Sequence, residues 1–315
     1  MSIVNCQLSI IYLGTPEFAV AGLDALISHG YNVVAAVTMP DKPAGRGHQI
    51  QYSPVKQYAL AHNIPVLQPE KLKDEAFVEQ LRSFHADLQI VTAFRMLPEV
   101  VWAMPRLGTF NVHASLLPQY RGAAPINWAV INGDKQTGLT TFMLKHEIDT
   151  GNMILQDRLD IGDDEDAGSV HDRLMERSRD IVLRTVKLIE DCDKNSTPLP
   201  TVPQPELPDL RPAPKIFKET CEIDFNRPAQ DIKNFVRGLS PYPAAWCNLT
   251  INGHLYENVK VFAVQPFTRN PSPVTRHPSP LTLQCSDGYI DILELQVPGK
   301  KRMHAKDFLN GLQSH

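Results

Sequence analysis

The sequence predicts a doubly wound α/β domain followed by a smaller β-barrel domain, and three observations support this prediction. Buried-strand patterns alternate with helical patterns over the first two thirds of the 315 residues, as in parallel strands joined by crossover helices. Residues 198–214 then include seven prolines among seventeen residues. Beyond them, short strand patterns separated by turn residues predict a small barrel, for which the oligonucleotide-binding type is one candidate.

The N-terminal part is expected to begin with a strand, a turn and a helix. Residues 8–14, LSIIYLG, form a near-continuous apolar run that ends on glycine. In TPEFAVAGLDALISHG, which follows, Thr15 is expected to cap a helix that has a proline in its first turn and a glycine at its end. The buried-strand pattern recurs at residues 31–38, 86–94 and 108–114, with helical patterns near 54–62 and 74–84.

The remaining elements complete the predicted sheet and form the second domain. Residues 137–147 and 151–161 are β-rich and should be its last strands, and an amphipathic helix is expected near 166–192. The proline-rich stretch should be extended and semi-rigid, which suits a spacer between domains. A helix in QDIKNFVRG, several strands and a terminal helix follow it. We therefore expect domains at 1–195 and 215–315, joined by a linker at 196–214.

Composition excludes several classes of protein. Hydrophobic residues make up 43% of the chain and charged residues 21%, and no apolar run approaches the roughly 20 residues that cross a bilayer. The N-terminus lacks the basic region and cleavage site of a signal peptide, so a cytoplasmic protein without membrane association is expected. Five scattered cysteines without a C-x-x-C pair indicate reduced, structural thiols rather than a disulfide framework or a zinc site.

Charge is uneven along the chain. Residues 211–315 carry 13 Lys and Arg against 9 Asp and Glu, or +4, whereas residues 1–210 carry 18 against 26, or −8. This asymmetry permits a polyanionic partner on the C-terminal part.

The first turn argues against a nucleotide cofactor. YLGTPEF has a single glycine instead of the G-x-G-x-x-G that brings a dinucleotide pyrophosphate to a helix N-terminus, and no Walker lysine motif is present. Metal catalysis is also not expected, since no second histidine has ligand spacing relative to His113.

Asn111 and His113 lie at the end of the strand pattern GTFNVHA. Because side chains two residues apart on a strand project to the same face, an amide and an imidazole should share one pocket. An amide N–H can stabilise a developing oxyanion, and a histidine can exchange a proton near neutral pH. The alternative is a histidine that is satisfied within the core or caps the next turn.

Asp149 lies in the turn IDTG at the end of another predicted strand. Ligands of doubly wound sheets bind outside the carboxyl ends of the strands, where neighbouring strand ends meet. A carboxylate there could orient His113 and stabilise its protonated form, although Asp-Thr-Gly is also a common turn. No G-x-S-x-G elbow is present, so the three residues should assist direct attack by a substrate nucleophile.

These residues belong to longer motifs that resemble those of a known family. NVHASLLPQYRGAAPINWAVINGDKQTG and IDTGNMI closely resemble the folate-dependent formyltransferases. LGTPEFA, PDKPAGRG, SPYPAAW and PGKKRMHAKDFLNG extend the resemblance nearly from end to end. It implies a Rossmann-like formyltransferase domain, a C-terminal oligonucleotide-binding-like β-barrel domain and 10-formyltetrahydrofolate as co-substrate, without a metal.

The resemblance also assigns residues to roles. The family's catalytic asparagine, histidine and aspartate fall on Asn111, His113 and Asp149. Its folate-binding segments fall on Ser115, Leu116, Leu117 and Pro118, and on Phe94, Arg95, Met96 and Leu97 of the loop AFRMLP. A flat heterocycle suits the backbone groups of such a loop, with leucines as apolar walls.

The loop PDKPAGRG resembles the branch of the family that formylates initiator methionyl-tRNA. This resemblance implies that Lys42 and Arg46 contact the tRNA. It likewise implies that Lys300, Lys301 and Arg302 of the second domain contact phosphates. Ala114 and Gln119 stand where many relatives of this family have glycine or proline and a basic residue, and Lys42 stands where some have arginine. Gln119 therefore removes a possible phosphate contact. A lysine makes a point contact, whereas an arginine can bind two acceptors at once.

Other acceptors remain open to the same chemistry: glycinamide ribonucleotide, an amino sugar or water. A non-enzymatic alternative is a single-stranded nucleic-acid binding protein that uses its barrel. That alternative leaves the proposed pocket residues unexplained. We expect a monomer, because the second domain already covers one flank of the first.

Overall fold

A computed structural model describes residues 7–44, 49–267 and 281–313, with the backbone alone at 42–44, 49–50 and 313. The chain divides into two compact units that alternate along the sequence. The first contains Met1–Gly122, Gly138–Leu159 and Asp172–Pro212; the second contains Ala123–Thr137, Asp160–His171 and Ala213–His315. The expected domains at 1–195 and 215–315 with a linker at 196–214 stay a prediction.

A seven-stranded sheet forms the centre of the first unit, and a separate short hairpin accompanies it. The strands in this part of the chain are β1 (Ser9–Gly14), β2 (Asn32–Val37), β3 (Lys42–Ala44), β4 (Gln49–Gln51), β5 (Val66–Leu67), β6 (Leu88–Thr92), β7 (Thr109–His113), β8 (Gln136–Met143) and β9 (Met153–Asp160). The sheet order is β5-β2-β1-β6-β7-β8-β9, and β3 pairs with β4.

The strand order confirms the doubly wound prediction. Parallel pairing joins β1 to β2 and β6, β2 to β5, and β6 to β7. The chain therefore winds outward from β1 in both directions, and the order reverses at the carboxyl ends of β1 and β6. β8 is antiparallel to β7, so the sheet is mixed, with its parallel part running from β5 to β7.

Helices connect these strands as the sequence pattern predicts, with two short additions. They are α1 (Glu17–Ser28), α2 (Pro54–Ala61), α3 (Glu75–Ser83), α4 (Glu99–Trp102), α5 (Pro125–Ile131) and α6 (Ala167–Lys194). The side chains of Ser53 and Asp74 accept backbone N–H bonds at the starts of α2 and α3, as N-caps should. The sequence pattern does not predict α4 and α5, because their few residues give little periodicity.

The expected capping role of Thr15 is wrong. Pro16 is the N-cap of α1 and makes no side-chain cap bond. The Thr15 hydroxyl instead accepts from the backbone N–H of Met39 at 3.4 Å. Thr15 therefore connects the first turn to the chain that leaves β2, across the point where the two strands end.

The second unit contains a five-stranded antiparallel sheet. Its strands and helices are α7 (Ala229–Leu239), β10 (Ala245–Ile251), β11 (His254–Phe267), β12 (Thr282–Gln284), β13 (Tyr289–Gln296), β14 (Met303–His304) and α8 (Ala305–Gln313), with a 3-10 helix at Lys218–Cys221. Strands and helix α7 share one apolar core that includes Val236, Val261 and Ile290. The prediction of a β-barrel-like second domain is confirmed.

Helix α7 packs closely on α5 within this unit. A Cβ added at Gly238 would lie 2.4 Å from Cγ1 of Ile131 and 2.8 Å from its backbone nitrogen. Asn127 also donates its side-chain N–H to the carbonyl of Gly238 at 2.8 Å. A glycine at this position is thus required for the two helices to approach.

The cysteines of the described chain are free thiols. Cys221, Cys247 and Cys285 are buried and Cys192 is half-buried, while Cys6 lies outside the described residues. Burial raises the pKa of the Cys247 thiol to about 12, so it stays protonated and unreactive at neutral pH.

Two features are absent from the described residues. None of the helices there is long and apolar enough to span a membrane. Nor does that part of the chain contain a group of three or more His, Cys, Asp or Glu side chains that could hold a metal ion.

Candidate active site

Asn111 and His113 lie at the carboxyl end of β7, as the sequence predicts. The strand ends on His113, and Asn111 is two residues earlier on the same face. The backbone of Asn111 is paired with Val91 of β6 on one side and with Phe142 of β8 on the other. Because β7 is an internal strand of the sheet, both side chains have a rigid support.

The imidazole of His113 is held in one orientation. Its Nε2 lies 2.8 Å from the carbonyl oxygen of Tyr120, its ring meets Phe142 edge-on at 6.5 Å between centroids, and the residue is only 6% exposed. A carbonyl oxygen accepts hydrogen bonds and cannot donate them, so Nε2 must carry the proton. In the neutral imidazole, Nδ1 is therefore the nitrogen that can accept a proton.

The amide of Asn111 is available to a ligand. Its side chain is half-buried, and among the described residues no hydrogen bond engages that amide. An N–H donor held by the sheet, with no protein acceptor, can stabilise negative charge on a carbonyl oxygen without prior rearrangement.

Asp149 occupies the turn that follows β8. Its backbone is left-handed, with φ at 52°, a conformation in which aspartate is enriched among non-glycine residues. Its Oδ2 accepts the backbone N–H of Gly122 at 3.0 Å. His113 and Asp149 thus attach to the same short segment, residues 120–122, the first through a carbonyl and the second through an N–H.

The sequence predicts that the carboxylate of Asp149 could orient His113, whereas the hydrogen bond that orients Nε2 comes from the Tyr120 carbonyl. A backbone carbonyl commonly fixes the tautomer of a functional histidine. The carboxylate and the second ring nitrogen remain the groups through which Asp149 and His113 can act on a substrate.

Gly151 allows the Asp149 turn to approach β8. A Cβ there would lie 1.6 Å from the carbonyl oxygen of Met143 and 2.9 Å from its carbon. We expect Gly151→Ala to destabilise the protein by about 3 kcal/mol, because a backbone clash cannot relax by side-chain movement. Catalytic activity should fall with it, as the turn carrying Asp149 must shift.

A melting curve and an activity assay check this expectation. Gly311→Ala in α8 is the matched control, because a Cβ there meets nothing within 4 Å and alanine favours a helix over glycine. Its melting temperature should stay equal to that of the wild type or rise. Equal melting temperatures for Gly151→Ala and the wild type would contradict the role assigned to Gly151.

The segment SLLP after β7 is fixed mainly by internal hydrogen bonds. Thr140 of β8 donates its hydroxyl to the Ser115 carbonyl at 2.7 Å and accepts the N–H of Leu117 at 3.1 Å. Gln156 of β9 donates to the Leu117 carbonyl at 2.9 Å. The Ser115 hydroxyl donates to the carbonyl of Gln119 at 2.7 Å.

These bonds divide the four candidate folate-binding residues into two groups. Ser115, Leu117 and Pro118 are buried, and the backbone N–H and carbonyl of Leu117 are already used. Leu116 is half-buried and is the leucine of the segment that offers apolar surface. The structure therefore supports a wall formed by Leu116 on a base that the other three residues stabilise.

The loop AFRMLP after β6 is irregular, as the sequence predicts. Met96 is 73% exposed and Leu97 is buried, while Phe94 is half-buried. The guanidinium of Arg95 donates to the carbonyls of Glu70 and Pro69. Arg95 thus joins this loop to the one that follows β5, so its structural role is to support the loop.

The chain that leads into the candidate tRNA loop, PDKPAGRG, is held by side-chain contacts. Lys42 belongs to β3, whose pairing with β4 the sequence analysis did not predict; its side chain and all of Arg46 lie outside the described residues. Before the hairpin, Asp41 pairs with Lys56 and accepts from Gln68 at 2.9 Å. The hydrogen bond from the Lys56 ammonium lowers the pKa of the Asp41 carboxyl.

The three candidate phosphate-binding residues of the second unit, Lys300, Lys301 and Arg302, are exposed. Arg302 donates to the carboxylate of Glu294 through its Nε at 2.9 Å, and its guanidinium carbon lies 4.4 Å from the centre of the Phe262 ring. Its positive charge is therefore already partly compensated. Lys300 and Lys301 lie next to it in the turn between β13 and β14. They are therefore better candidates for a phosphate contact than Arg302.

Several residues that shape this site were not found by the sequence analysis. Tyr120 contributes only a carbonyl, and Thr140 and Gln156 act through hydrogen bonds to the SLLP segment. A further one is Gln204, which binds the Asp149 turn from the proline-rich segment. No spacing rule signals such contacts, because each depends on a tertiary neighbour.

Two family models match the chain. Residues 7–186 match the formyl transferase model, and residues 215–313 match the model of the formyl transferase C-terminal domain. Among solved structures, the chain is similar to WlaRD, a sugar 3N-formyl transferase, with a TM-score of 0.65 at 16% identity, covering 94% of this chain and 99% of that one. It is also similar to HypX from Aquifex aeolicus in complex with tetrahydrofolic acid, with a TM-score of 0.62 at 16% identity, covering 96% of this chain and 47% of that one. At these identities the two structures establish the fold.

Curated relatives are much more similar in sequence. The methionyl-tRNA formyltransferase of Bacteroides fragilis is 57% identical over 313 residues, covering 97% of this chain and 95% of the relative. That of Parabacteroides distasonis is 56% identical over 322 residues, covering 98% and 96%. The chain therefore belongs to the formyl transferase family, within its branch of methionyl-tRNA formyltransferases.

Proposed function

We propose that this protein transfers the formyl group of 10-formyltetrahydrofolate to the free α-amine of initiator methionyl-tRNA. The observation that carries this function is the similarity to curated methionyl-tRNA formyltransferases over both units, with 57% identity across 97% of the chain. Asn111, His113 and Asp149 supply the acid–base and polar groups that such a transfer needs. The function is therefore supported by both the similarity and the chemistry of the site.

The reaction makes one carbon–nitrogen bond and breaks another. The α-amine of the methionyl group attacks the formyl carbon, and the carbonyl oxygen becomes an oxyanion in a tetrahedral intermediate. The bond from that carbon to folate N10 then breaks, and N10 leaves with a proton. The amine loses one proton and N10 gains one, so the products are formylmethionyl-tRNA and tetrahydrofolate.

Each residue of the site has a role in this sequence. The amide N–H of Asn111 donates to the formyl oxygen and stabilises the oxyanion. Nδ1 of His113 accepts the proton that the amine releases and returns it to N10, while Nε2 stays bonded to Tyr120. Asp149 stabilises the positive charge that exists between these two proton transfers. No protein nucleophile is required.

The pocket residues fit a folate co-substrate. The irregular loop at residues 93–98 presents backbone groups and the exposed Met96, and Leu116 adds apolar surface after β7. A flat heterocycle with many donors and acceptors is bound well by such a combination. Phe94 and Leu97 belong to the same loop, whereas Arg95, Ser115, Leu117 and Pro118 hold the two segments in shape.

Basic residues of both units are the proposed tRNA contacts. Lys42 and Arg46 belong to the loop PDKPAGRG, and Lys300, Lys301 and Arg302 to an exposed turn of the second unit. Phosphate contacts of this kind give affinity that falls with salt concentration. We place the protein in the cytoplasm as a monomer, and its reaction needs no metal.

A transfer assay tests the function. The protein is mixed with 10-formyltetrahydrofolate labelled in its formyl carbon, and methionyl-tRNA, a deoxythymidine-diphosphate amino sugar or buffer alone is added. Label should enter methionyl-tRNA in a form that releases formylmethionine on alkaline hydrolysis of the ester. Label in the sugar, or release of free formate at the same rate in buffer, would overturn the assignment.

A further inference from the structure

Gln204 connects the proline-rich segment to the turn that carries Asp149. Its side-chain Nε2 donates to the Asp149 carbonyl at 2.7 Å and to the Gly151 carbonyl at 2.9 Å. Its Oε1 accepts from Nε of Arg121 at 3.1 Å and from Nη2 at 2.6 Å. All of these residues belong to the first compact unit.

The orientation of this amide is fixed by the chemistry of its partners. A guanidinium only donates hydrogen bonds and a backbone carbonyl only accepts them, so the oxygen must face Arg121 and the nitrogen must face the turn. A glutamine amide has two N–H donors and two acceptor positions. Gln204 uses all four, so its side chain is held in one position.

Gln204 closes a ring of contacts around Asp149. Arg121 holds the amide of Gln204, the amide holds the carbonyl of Asp149, and the Asp149 carboxylate accepts the N–H of Gly122. The ring therefore fixes the carbonyl and the carboxylate of one residue from two directions. Asp149 needs this support, because its backbone is in the left-handed region at a φ of 52°.

The same ring of contacts connects Asp149 to His113. Arg121 and Gly122 directly follow Tyr120, whose carbonyl orients Nε2 of His113. A shift of the Asp149 turn relative to residues 120–122 would change the position of the carboxylate relative to the imidazole. Gln204 is thus placed to set the relation between two proposed catalytic groups while touching neither side chain.

The proline-rich segment is itself attached to the first unit at further points. Val202 exchanges two backbone hydrogen bonds with Met153, at 2.8 and 2.9 Å. Gln119 donates to the Asp209 carbonyl at 3.0 Å and accepts the Arg211 N–H at 2.8 Å. These contacts hold Gln204 in place from both sides, and they give Gln119 a structural role.

Prolines explain why a side chain makes the contact. Pro203 and Pro205 flank Gln204 and have no N–H, so these two neighbours cannot donate to the Asp149 turn. Proline also restricts the chain to extended conformations. The side-chain amide of Gln204 therefore supplies two donors beside two residues that have none.

We propose that Gln204 is a positioning residue that holds the Asp149 turn in register with the segment that orients His113. The proposal rests on the formyl-transfer function given above. It makes the proline-rich segment part of the catalytic architecture in addition to its role as a connection between domains.

Two variants of Gln204 test the proposal. Gln204→Ala removes all four bonds, and Gln204→Glu keeps an acceptor for Arg121 but replaces the two donors with an oxygen that faces carbonyl oxygens. Both should lower the single-turnover rate of formyl transfer about 10- to 100-fold, because small misplacement of a catalytic group has effects of this size. KM for methionyl-tRNA and for the folate should change by less than about threefold, as expected when ground-state binding is intact.

Glu206→Ala is the matched control, since Glu206 is exposed in the same segment, and its rate should equal that of the wild type. Melting curves accompany every rate; if Gln204→Ala fails to fold, Gln204→Glu, which keeps the Arg121 contact, decides. A folded Gln204→Glu with the wild-type rate would overturn the positioning role, as would a rise in KM with unchanged turnover. Absence of transfer by the wild type would instead refute the proposed function, so the two failures are distinguishable.

Discussion

A His113→Gln variant should fold as the wild type does and transfer the formyl group about 10²–10⁴ times more slowly, the usual contribution of a general acid–base group. The glutamine Nε2 can replace the ring Nε2 as donor to the Tyr120 carbonyl, so residues 120–122 keep their anchor. The glutamine amide has no equivalent of the imidazole Nδ1, so it cannot accept the amine proton and return it to N10. The single-turnover rate with saturating methionyl-tRNA measures this effect.

At position 113, glutamine tests the acid–base role more specifically than alanine does. His113→Ala would leave the Tyr120 carbonyl buried without its donor, which costs about 1–3 kcal/mol, and would also create a cavity next to Phe142. A slow alanine variant would therefore combine lost chemistry with lost structure. The glutamine variant separates the two, since its hydrogen bond is retained.

His29→Gln provides the matched control for this experiment. His29 also bonds to a backbone carbonyl, that of Ala25 at 2.8 Å, and it lies at the end of α1. Its substitution should leave the transfer rate unchanged. If His113→Gln retained a rate within about threefold of the wild type, His113 would be an orienting residue only, and the proton would have to leave by another group.

The position of the site at the carboxyl end of β7 could be predicted from the sequence because it depends on local pattern. A buried strand that ends on a histidine, with an asparagine two residues earlier, defines a shared face whatever the rest of the chain does. The partners of that face could not be predicted in this way. Tyr120 acts through a carbonyl, which every residue type has, and only the tertiary structure shows that it meets Nε2.

The same distinction applies to the fold. The predicted strands β1, β2, β6 and β7 and the predicted helices α1, α2 and α3 are confirmed, because each rests on burial or helical periodicity within one segment. The direction of β8 could not be predicted, since an internal buried strand looks the same in parallel and antiparallel pairs. The caps show a similar limit: Ser53 and Asp74 accept N–H bonds as N-caps, whereas Thr15 is used by the neighbouring strand end.

The proline-rich segment shows how composition can predict conformation and still miss a role. Seven prolines predict an extended chain that connects two domains. They do not show that residues 202–211 bond to Met153, Gln119 and the Asp149 turn. A single glutamine between two prolines has no periodicity, so its four hydrogen bonds could be recognised only in the folded protein.

Asp149→Asn should lower the single-turnover rate about 10²–10³-fold while the protein remains folded, as for other losses of preorganised charge. Asparagine tolerates the left-handed backbone at φ 52° as well as aspartate does. Its side-chain oxygen can still accept the N–H of Gly122, and its carbonyl can still accept from Gln204. The substitution therefore removes the negative charge and leaves the geometry of the turn.

The charge is what the reaction needs if Asp149 stabilises the positive charge on His113 and on the attacking amine. Asp209→Asn is the matched control, because its side chain is exposed and only its carbonyl bonds to Gln119; its rate should be that of the wild type. A rate for Asp149→Asn within about threefold of the wild type would mean that Asp149 acts through its hydrogen bond to Gly122 alone. In that case Gln204→Ala, which disturbs the same turn, should be slower than Asp149→Asn, so comparing the two variants shows whether the charge or the position of Asp149 limits the transfer.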